Sequence, residues 1–344
     1  MHNSKTMTNK SIESVNEYLD LIIDINKNQN VIAKNERERY INLSAVNDNN
    51  LGEMRLYFQK VANIKGINKY SIPDNKDIAH DKYKLYYRGH SKTSYRLIPS
   101  TFRGDDWSKE DWYYHEIMVR CPEHFQYESH LDKLVTMQHY ECPTRLLDVT
   151  SNPLVALFFA CKSFGCKKCN HDELGEVIIF PVKESEILYS DSDRALMLSC
   201  LARFSAEEKE ELHKLAHDRL FDDSFTQKQG GSSYRDIVVE RFFHEITTEL
   251  PSFKRTIKPI DILMPIFIQP NKTNGRILKQ DGAFIINGLS SDSVAAENKL
   301  NALEHTRIRV ENKEAILKEL STIGINEATL FPEVDKVAHF LKES

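Results

Sequence analysis

One stretch limits the fold more than any other. It runs Gln138-His139-Tyr140-Glu141-Cys142-Pro143-Thr144-Arg145-Leu146-Leu147-Asp148-Val149-Thr150-Ser151-Asn152-Pro153 and leads into the apolar segment Leu154 to Cys161. Pro143 stops the preceding helical pattern or starts a turn, because its ring fixes φ and removes a backbone donor. Leu146 to Val149 then reads as short and extended. Asn152-Pro153 reads as a helix start, with Asn as the cap and Pro tolerated in the first turn. The helix that follows has little solvent-facing character, so it is expected to be buried. A plain structural helix does not need His, Tyr, Arg, Asp and Thr crowded in front of it; a ligand site at a strand-to-helix junction does. A second short signal, Tyr86-Tyr87-Arg88-Gly89-His90, lies some fifty residues earlier.

The chain has 344 residues, enough to bury a sizeable core in one large domain or two small ones. With 40% hydrophobic and 28% charged residues it has the composition of a soluble globular protein. A net charge of -5 provides no global attraction to nucleic acid or anionic membrane. No window is long and apolar enough to span a membrane, and Met1 to Lys10 lacks a signal-type apolar core. The expectation is a cytoplasmic protein with a disordered tail over residues 1–10. The six cysteines do not suggest a disulfide framework. Cys161, Cys166, Cys169 and His171 fall close together, but no second cysteine couple accompanies them, so no metal is expected.

Ser11 is a candidate N-cap for a helix with apolar positions Ile12, Val15, Leu19, Ile22 and Ile25. Leu56-Tyr57-Phe58 is expected to be packed. Lys84 to Arg88 reads as a strand broken by Gly89. Trp107 to His124 and Leu131 to His139 read as helices, and Gly175 to Val182 as a strand. Residues 185–250 are charged and helix-rich, with a Gly230-Gly231-Ser232-Ser233 break. Asp261 to Gln269 reads as an apolar strand, and Arg276 to Gly288 as a polar start with a β-type tail. Arg307 to Val310 (a strand), Asn312 to Leu320 (a helix closed by Gly324) and Val334 to Lys342 complete the series. Extended segments on both sides of the helix-rich block favour an α+β fold. It comprises one large domain over residues 11–342, with a mixed or antiparallel sheet and a helical insertion at about 185–250.

These motifs resemble the FRG family, named for its Phe/Tyr-Arg-Gly tripeptide. Here the tripeptide is Tyr87-Arg88-Gly89, followed by Leu97-Ile98-Pro99-Ser100 and Arg103. Gln138 to Ala160 resembles the second block. Arg276-Ile277 with Gln280-Asp281-Gly282-Ala283-Phe284 resembles the third, and Ile323-Gly324-Ile325 with Leu330-Phe331-Pro332-Glu333-Val334-Asp335 the last. The chain departs from the family at Glu141, usually Gly, and at Val149, usually Trp; both are expected to touch the wall of the pocket. The family is associated with bacterial and phage proteins, toxic or defence-related in some settings.

The motif layout is similar to that of ADP-ribosyltransferases, and the resemblance implies a sheet core like theirs, NAD as co-substrate and a site built from named residues. Arg88 with Gly89 matches the early strand that holds the dinucleotide. Thr150 or Ser151 matches the hydroxyl ahead of the Ala- and Phe-rich helix, and Gln280 matches the third element. The implied catalytic residues are Arg88, His139, Thr150 and Gln280. The implied cofactor-binding residues are Arg88, Gly89, Tyr140, Arg145, Asp148 and Thr150. A guanidinium grips pyrophosphate with paired, charge-assisted hydrogen bonds. Gly89 would admit a close backbone approach, and Tyr140 would stack on nicotinamide. Gln280 is neutral and supplies no countercharge; Glu141, Asp148, Glu240 and Asp281 are the candidate replacements. Structural readings stand beside these: Arg88 bracing Asp148, Arg145 and Asp148 locking the turn, His139 as a satisfied histidine, Asn152 as a cap and Gln280 as a core amide. Two other functions remain open, a non-catalytic nucleotide-binding sensor and a metal-dependent nuclease built on His90, His139, Glu141 and Asp148. The macromolecular target, protein or nucleic acid, is unspecified. No membrane partner is expected, and self-association or a defence-system partner is left open.

Overall fold

Short runs of Val, Ile, Leu and Phe between polar turns become strands, because β-branched and aromatic side chains pack well on a pleated surface. In the computed structural model these strands are β1 (Ser11–Ile12), β2 (Tyr83–His90), β3 (Leu146–Thr150), β4 (Gly175–Lys183), β5 (Ile187–Tyr189), β6 (Ile266–Gln269), β7 (Gly282–Ile286) and β8 (Thr306–Val310). The structure describes residues 11–27, 82–104, 106–126, 128–162, 173–219, 233–254, 257–272 and 274–343. Leu56-Tyr57-Phe58, the group Cys166, Cys169 and His171, and the glycine pair Gly230-Gly231 lie outside them.

Among the described residues the strands form one mixed eight-stranded sheet in the order β1-β8-β4-β2-β3-β7-β6-β5. The outer pairs β1·β8 and β5·β6 are parallel. The pairs β2·β3, β3·β7, β4·β8 and β6·β7 are antiparallel. β3, from the motif block, is therefore central. Register assigns the faces, because directly paired residues share one and sequence neighbours alternate. Leu146, Phe284 and Ile286 join the larger core cluster, with helices packed over it. Leu147, Val149, Ala283 and Ile285 join a second cluster with Tyr86, Ile178 and Phe180 on the opposite face. Val149 is thus core rather than pocket wall.

The helices are α1 (Val15–Lys27), α2 (Glu110–Arg120), α3 (His130–His139), α4 (Pro153–Cys161), α5 (Asp193–Cys200), α6 (Ala206–Asp218), α7 (Tyr234–Glu249), α8 (Pro259–Leu263), α9 (Gly275–Lys279), α10 (Ser293–Asn301), α11 (Lys313–Thr322), α12 (Glu327–Leu330) and α13 (Val334–Glu343). Short 3-10 turns flank some of them. α4 starts as read: the Asn152 side chain accepts from the Leu154 N–H at 3.0 Å, and Pro153 opens the helix. Capping boxes at Ser205/Glu208 and Ser233/Asp236 start α6 and α7.

Three boundaries differ from the sequence reading. Ser11–Ile12 pairs with β8, and the helix begins only at Val15. The segment Asp261 to Gln269 divides into the end of α8 and β6, because Pro259 seeds a helical turn first. β2 runs straight through Gly89. The helix-rich block also opens on a strand, since Ile187–Tyr189 closes one edge of the sheet beside β6.

The chain divides into two compact units, Val15–Tyr83 and Met1–Ser14 with Lys84–Ser344. In the first, α1 buries Val15, Tyr18, Leu21, Ile22 and Ile25 at helical spacing. All site residues below belong to the second. No helix among the described residues is long and apolar enough to cross a membrane.

Candidate functional site

Gly89 earns its place through packing. A Cβ there would lie 2.0 Å from the Ala156 carbonyl oxygen and 2.6 Å from the Ala160 nitrogen. Gly175 on β4 is similar, with a Cβ 2.3 Å from the Ala160 carbonyl oxygen. The two glycines lie on neighbouring strands, and the backbone of α4 rests on both. The expected ligand approach at Gly89 is corrected: a helix occupies that space.

Arg88, the next residue back, projects from the other side of β2. Its Nη1 donates to the Asp148 carbonyl oxygen at 2.6 Å and its Nε to His90 Nε2 at 3.0 Å. The Asp148 carboxylate stands 3.9 Å from Nη1 and is 63% exposed, whereas Arg88 is only 13% exposed. Burial pulls the Arg88 pKa down to about 10; Asp148 opposes this and Arg103 adds to it, and the group stays charged at neutral pH. Asp148 also accepts from Gln138 Nε2 at 2.7 Å, and Gln138 Oε1 accepts from the Thr144 hydroxyl at 2.9 Å. The alternative of a buried Arg88–Asp148 ion pair is corrected: the short bond goes to the backbone carbonyl, and the carboxylate itself is solvated.

Thr150 pairs with Tyr87 and shares its face, so Arg88 and Thr150 project from opposite faces of the sheet. The Thr150 hydroxyl donates to the Gln280 carbonyl at 2.6 Å and accepts from the Asn152 N–H at 2.9 Å. The Gln280 side chain turns away and donates to the Leu330 carbonyl at 3.1 Å. Thr150 and Gln280 thus meet, but through backbone; Arg88 does not join them.

Arg145 lies elsewhere and cannot reach a ligand. It is buried, its Nε donates to Glu110 at 2.8 Å and its Nη2 to the other carboxylate oxygen. Lys209 reaches the same carboxylate at 2.7 Å. This corrects both the cofactor-binding role and the turn lock with Asp148. Glu110 and Lys209 carry no motif signal, so the sequence could not reveal this triad.

The end of α3 provides the richest surroundings. His139 Nε2 lies 3.7 Å from Glu333 Oε1, and Arg276 Nε donates to that oxygen at 3.1 Å. The Arg276 guanidinium sits over the Phe331 ring at 4.9 Å. His139 Nδ1 and Glu333 Oε2 are both buried and, among the described residues, have no hydrogen-bond partner. Buried polar atoms without partners are uncommon and point to an additional group, such as water or ligand. Burial lowers the His139 pKa, Arg276 lowers it further and Glu333 raises it. The net effect favours neutral imidazole at neutral pH. Tyr140 packs edge-on against His139 at 4.9 Å and remains 54% exposed. Three motif blocks therefore converge here: Gln138 to Tyr140, Arg276 to Gln280, and Leu330 to Glu333. Glu333 and Arg276 were legible as motif residues but not as site residues, because only the fold brings them to His139.

Glu141 follows α3 at φ +63°. Its N–H donates to the Gln138 carbonyl and the Cys142 N–H to the Met137 carbonyl, both at 3.0 Å. This is a Schellman cap, whose left-handed residue is usually Gly. The Gly that the resemblance implies at this position thus has a backbone cause. Glu141→Gly is expected to raise stability by about 0.5–1 kcal/mol, seen as a higher urea midpoint at unchanged slope.

The nuclease reading needs His90, His139, Glu141 and Asp148 together. The structure instead pairs His90 with Glu176 and His139 with Glu333. Among the described residues no group of three or more His, Cys, Asp or Glu side chains is arranged to hold a metal ion.

A tripeptide strand seated under a strand-turn-helix block is the arrangement that the sequence motifs describe. Residues 83–168 match the family model of the FRG domain, and the chain carries an FRG domain there. Arg276 and Glu333 lie beyond that segment. No curated protein and no solved structure matches the chain.

Proposed function

We propose that this protein is an NAD-using, ADP-ribosyltransferase-like effector of toxin or anti-phage defence type. It acts in the cytoplasm on a macromolecular target, and its reacting end is at His139 and Glu333. The effector type comes from the family resemblance alone. The observation that carries the chemistry is Glu333 Oε2, a buried carboxylate oxygen without a partner among the described residues, beside a His139 that packs on the exposed Tyr140 ring.

Transfer breaks the bond between nicotinamide nitrogen and ribose C1′ and forms a bond from C1′ to the acceptor. Positive charge develops on the sugar, nicotinamide leaves neutral, and the acceptor loses a proton. Glu333 supplies the countercharge that Gln280 cannot. Neutral His139 takes the acceptor's proton. Tyr140 offers its face to nicotinamide, and Arg88, which leaves the sheet from the other face but meets the Gln138 end of α3 through Asp148, serves the pyrophosphate. Thr150 and Gln280 build the site: they tie β3, α9 and the closing segment together.

Labelled NAD incubated with the purified protein and cell extract should yield labelled macromolecule or free ADP-ribose. Glu333→Gln should lower that rate by about 100- to 1000-fold. Because burial and Arg276 lower the His139 pKa, the acid limb of the rate profile should lie below the ordinary histidine value of about 6.5. Absence of both transfer and hydrolysis would sink the catalytic reading. A second reading, a nucleotide sensor without turnover, is supported by Arg88 and Thr150 donating to the protein's own carbonyls. Calorimetric binding of NAD without consumption would select it.

A further inference from the structure

Behind Arg88 runs a line of polar groups, buried at His90 and Glu176, that spans three neighbouring strands, β2, β4 and β8. Arg88 Nε meets His90 Nε2 at 3.0 Å, and His90 Nδ1 meets Glu176 Oε1 at 3.0 Å. Arg307 Nη1 donates to the same Glu176 oxygen at 2.9 Å, and Arg307 Nη2 donates to Asn301 at 3.1 Å. His90 and Glu176 are both buried. The proton positions follow from donor chemistry. A guanidinium N–H can only donate, so His90 Nε2 must be the bare nitrogen and Nδ1 must carry the proton. That proton is then donated to Glu176. The imidazole is fixed as neutral, in one tautomer and one ring orientation.

This arrangement fixes Arg88 at two points, Nε on His90 and Nη1 on the Asp148 carbonyl. Among the described residues Nη2 has no protein partner. Arg103 adds a second positive field at the same place, and among the described residues its guanidinium donates to the Ile98 carbonyl at 3.3 Å. The Asp148 carboxylate, 3.9 Å from Arg88 Nη1, is solvated and shared with Gln138.

We infer that His90, Glu176 and Arg307 are positioning residues that hold the Arg88 fork ready for the diphosphate of a nucleotide. The inference rests on the nucleotide reading above, but not on turnover. A planar guanidinium already held in place loses less freedom on binding phosphate than a mobile one. His90 acts through Arg88 and does not itself touch the ligand.

Two variants and one spectrum test it. His90→Phe fills the space but cannot accept from Arg88. His90→Gln can accept from Arg88 and donate to Glu176. ADP-ribose and NAD binding are measured by calorimetry on protein shown to be folded by circular dichroism. Phe should weaken both about 10- to 100-fold, the range for losing one hydrogen bond to a charged group, and Gln should restore binding to within a few-fold of the wild type. If the protein turns NAD over, the Phe change should appear in KM rather than kcat. Nitrogen-15 spectra of the wild type should show a protected Arg88 Nε–H and a neutral His90 with its proton on Nδ1. A folded Phe variant that binds ADP-ribose as tightly as the wild type overturns the inference. So does a charged His90, or one with the proton on Nε2. Binding of ADP-ribose without turnover of NAD removes the catalytic reading and leaves this one standing; a wild type that binds neither ligand removes this one.

Discussion

Glu110→Ala should destabilise the protein by about 3–5 kcal/mol, the range for removing one partner of a buried ion pair. The carboxylate is the shared acceptor of Arg145 and Lys209, and the variant leaves two buried cations facing each other without it. Burial alone would push the Glu110 pKa up; Arg145 and Lys209 outweigh it and hold the carboxyl at about 2. The sign follows directly. The folded-state pKa is depressed, so the contribution is fully present above the unfolded value of about 4.3 and is lost as pH falls through about 2. Urea titrations at pH 7 and pH 3 should therefore show the largest gap between wild type and variant at the higher pH. A loss below about 1 kcal/mol at pH 7 would mean that the triad does not hold α2, α6 and β3 together.

Gly89→Ala should cost about 3 kcal/mol or more, at the upper end for overpacking, because the obstacle is backbone rather than a movable side chain. The added methyl would collide with the Ala156 carbonyl and the Ala160 nitrogen, and α4 cannot retreat without leaving Gly175 as well. Thermal unfolding of Gly89→Ala beside Gly104→Ala makes the comparison. Gly104 has a positive φ but nothing within 4 Å of its would-be Cβ, so it incurs the conformational term alone. If the two variants lose similar stability, the helix does not rest on β2 as described.

The elements set by local chemistry were legible. The Asn152-Pro153 start of α4, the strands β3, β4, β7 and β8, and the Gly324 turn all follow from caps, branching and turn residues acting over a few positions. The tripeptide and its partner block were legible too, because they are contiguous. Boundaries failed where pairing overrode propensity: Ser11–Ile12 joined the sheet, and Gly89 stayed inside a strand because a helix needed the space above it. The site was legible only in part. His139 and Tyr140 lie in the cluster, whereas Arg145 lies in the core, since an arginine in a motif looks the same whether its carboxylate is a neighbour or 35 residues away. Glu333 and Arg276 become site residues only through tertiary contact, which no spacing in one chain encodes.

The carboxylate beside His139 comes from the closing part of the chain, docked by Lys162 to Glu327 at 2.9 Å and by Gln280 to the Leu330 carbonyl. Synthesis reaches it after every strand of the sheet. A ribosome-bound or prematurely terminated molecule that stops short of residue 327 would carry the tripeptide and the strand-turn-helix block but no acid at the centre. Cleavage ahead of α12 would separate Glu327, Leu330 and Glu333 from the rest in one cut, with all eight strands left in the longer fragment.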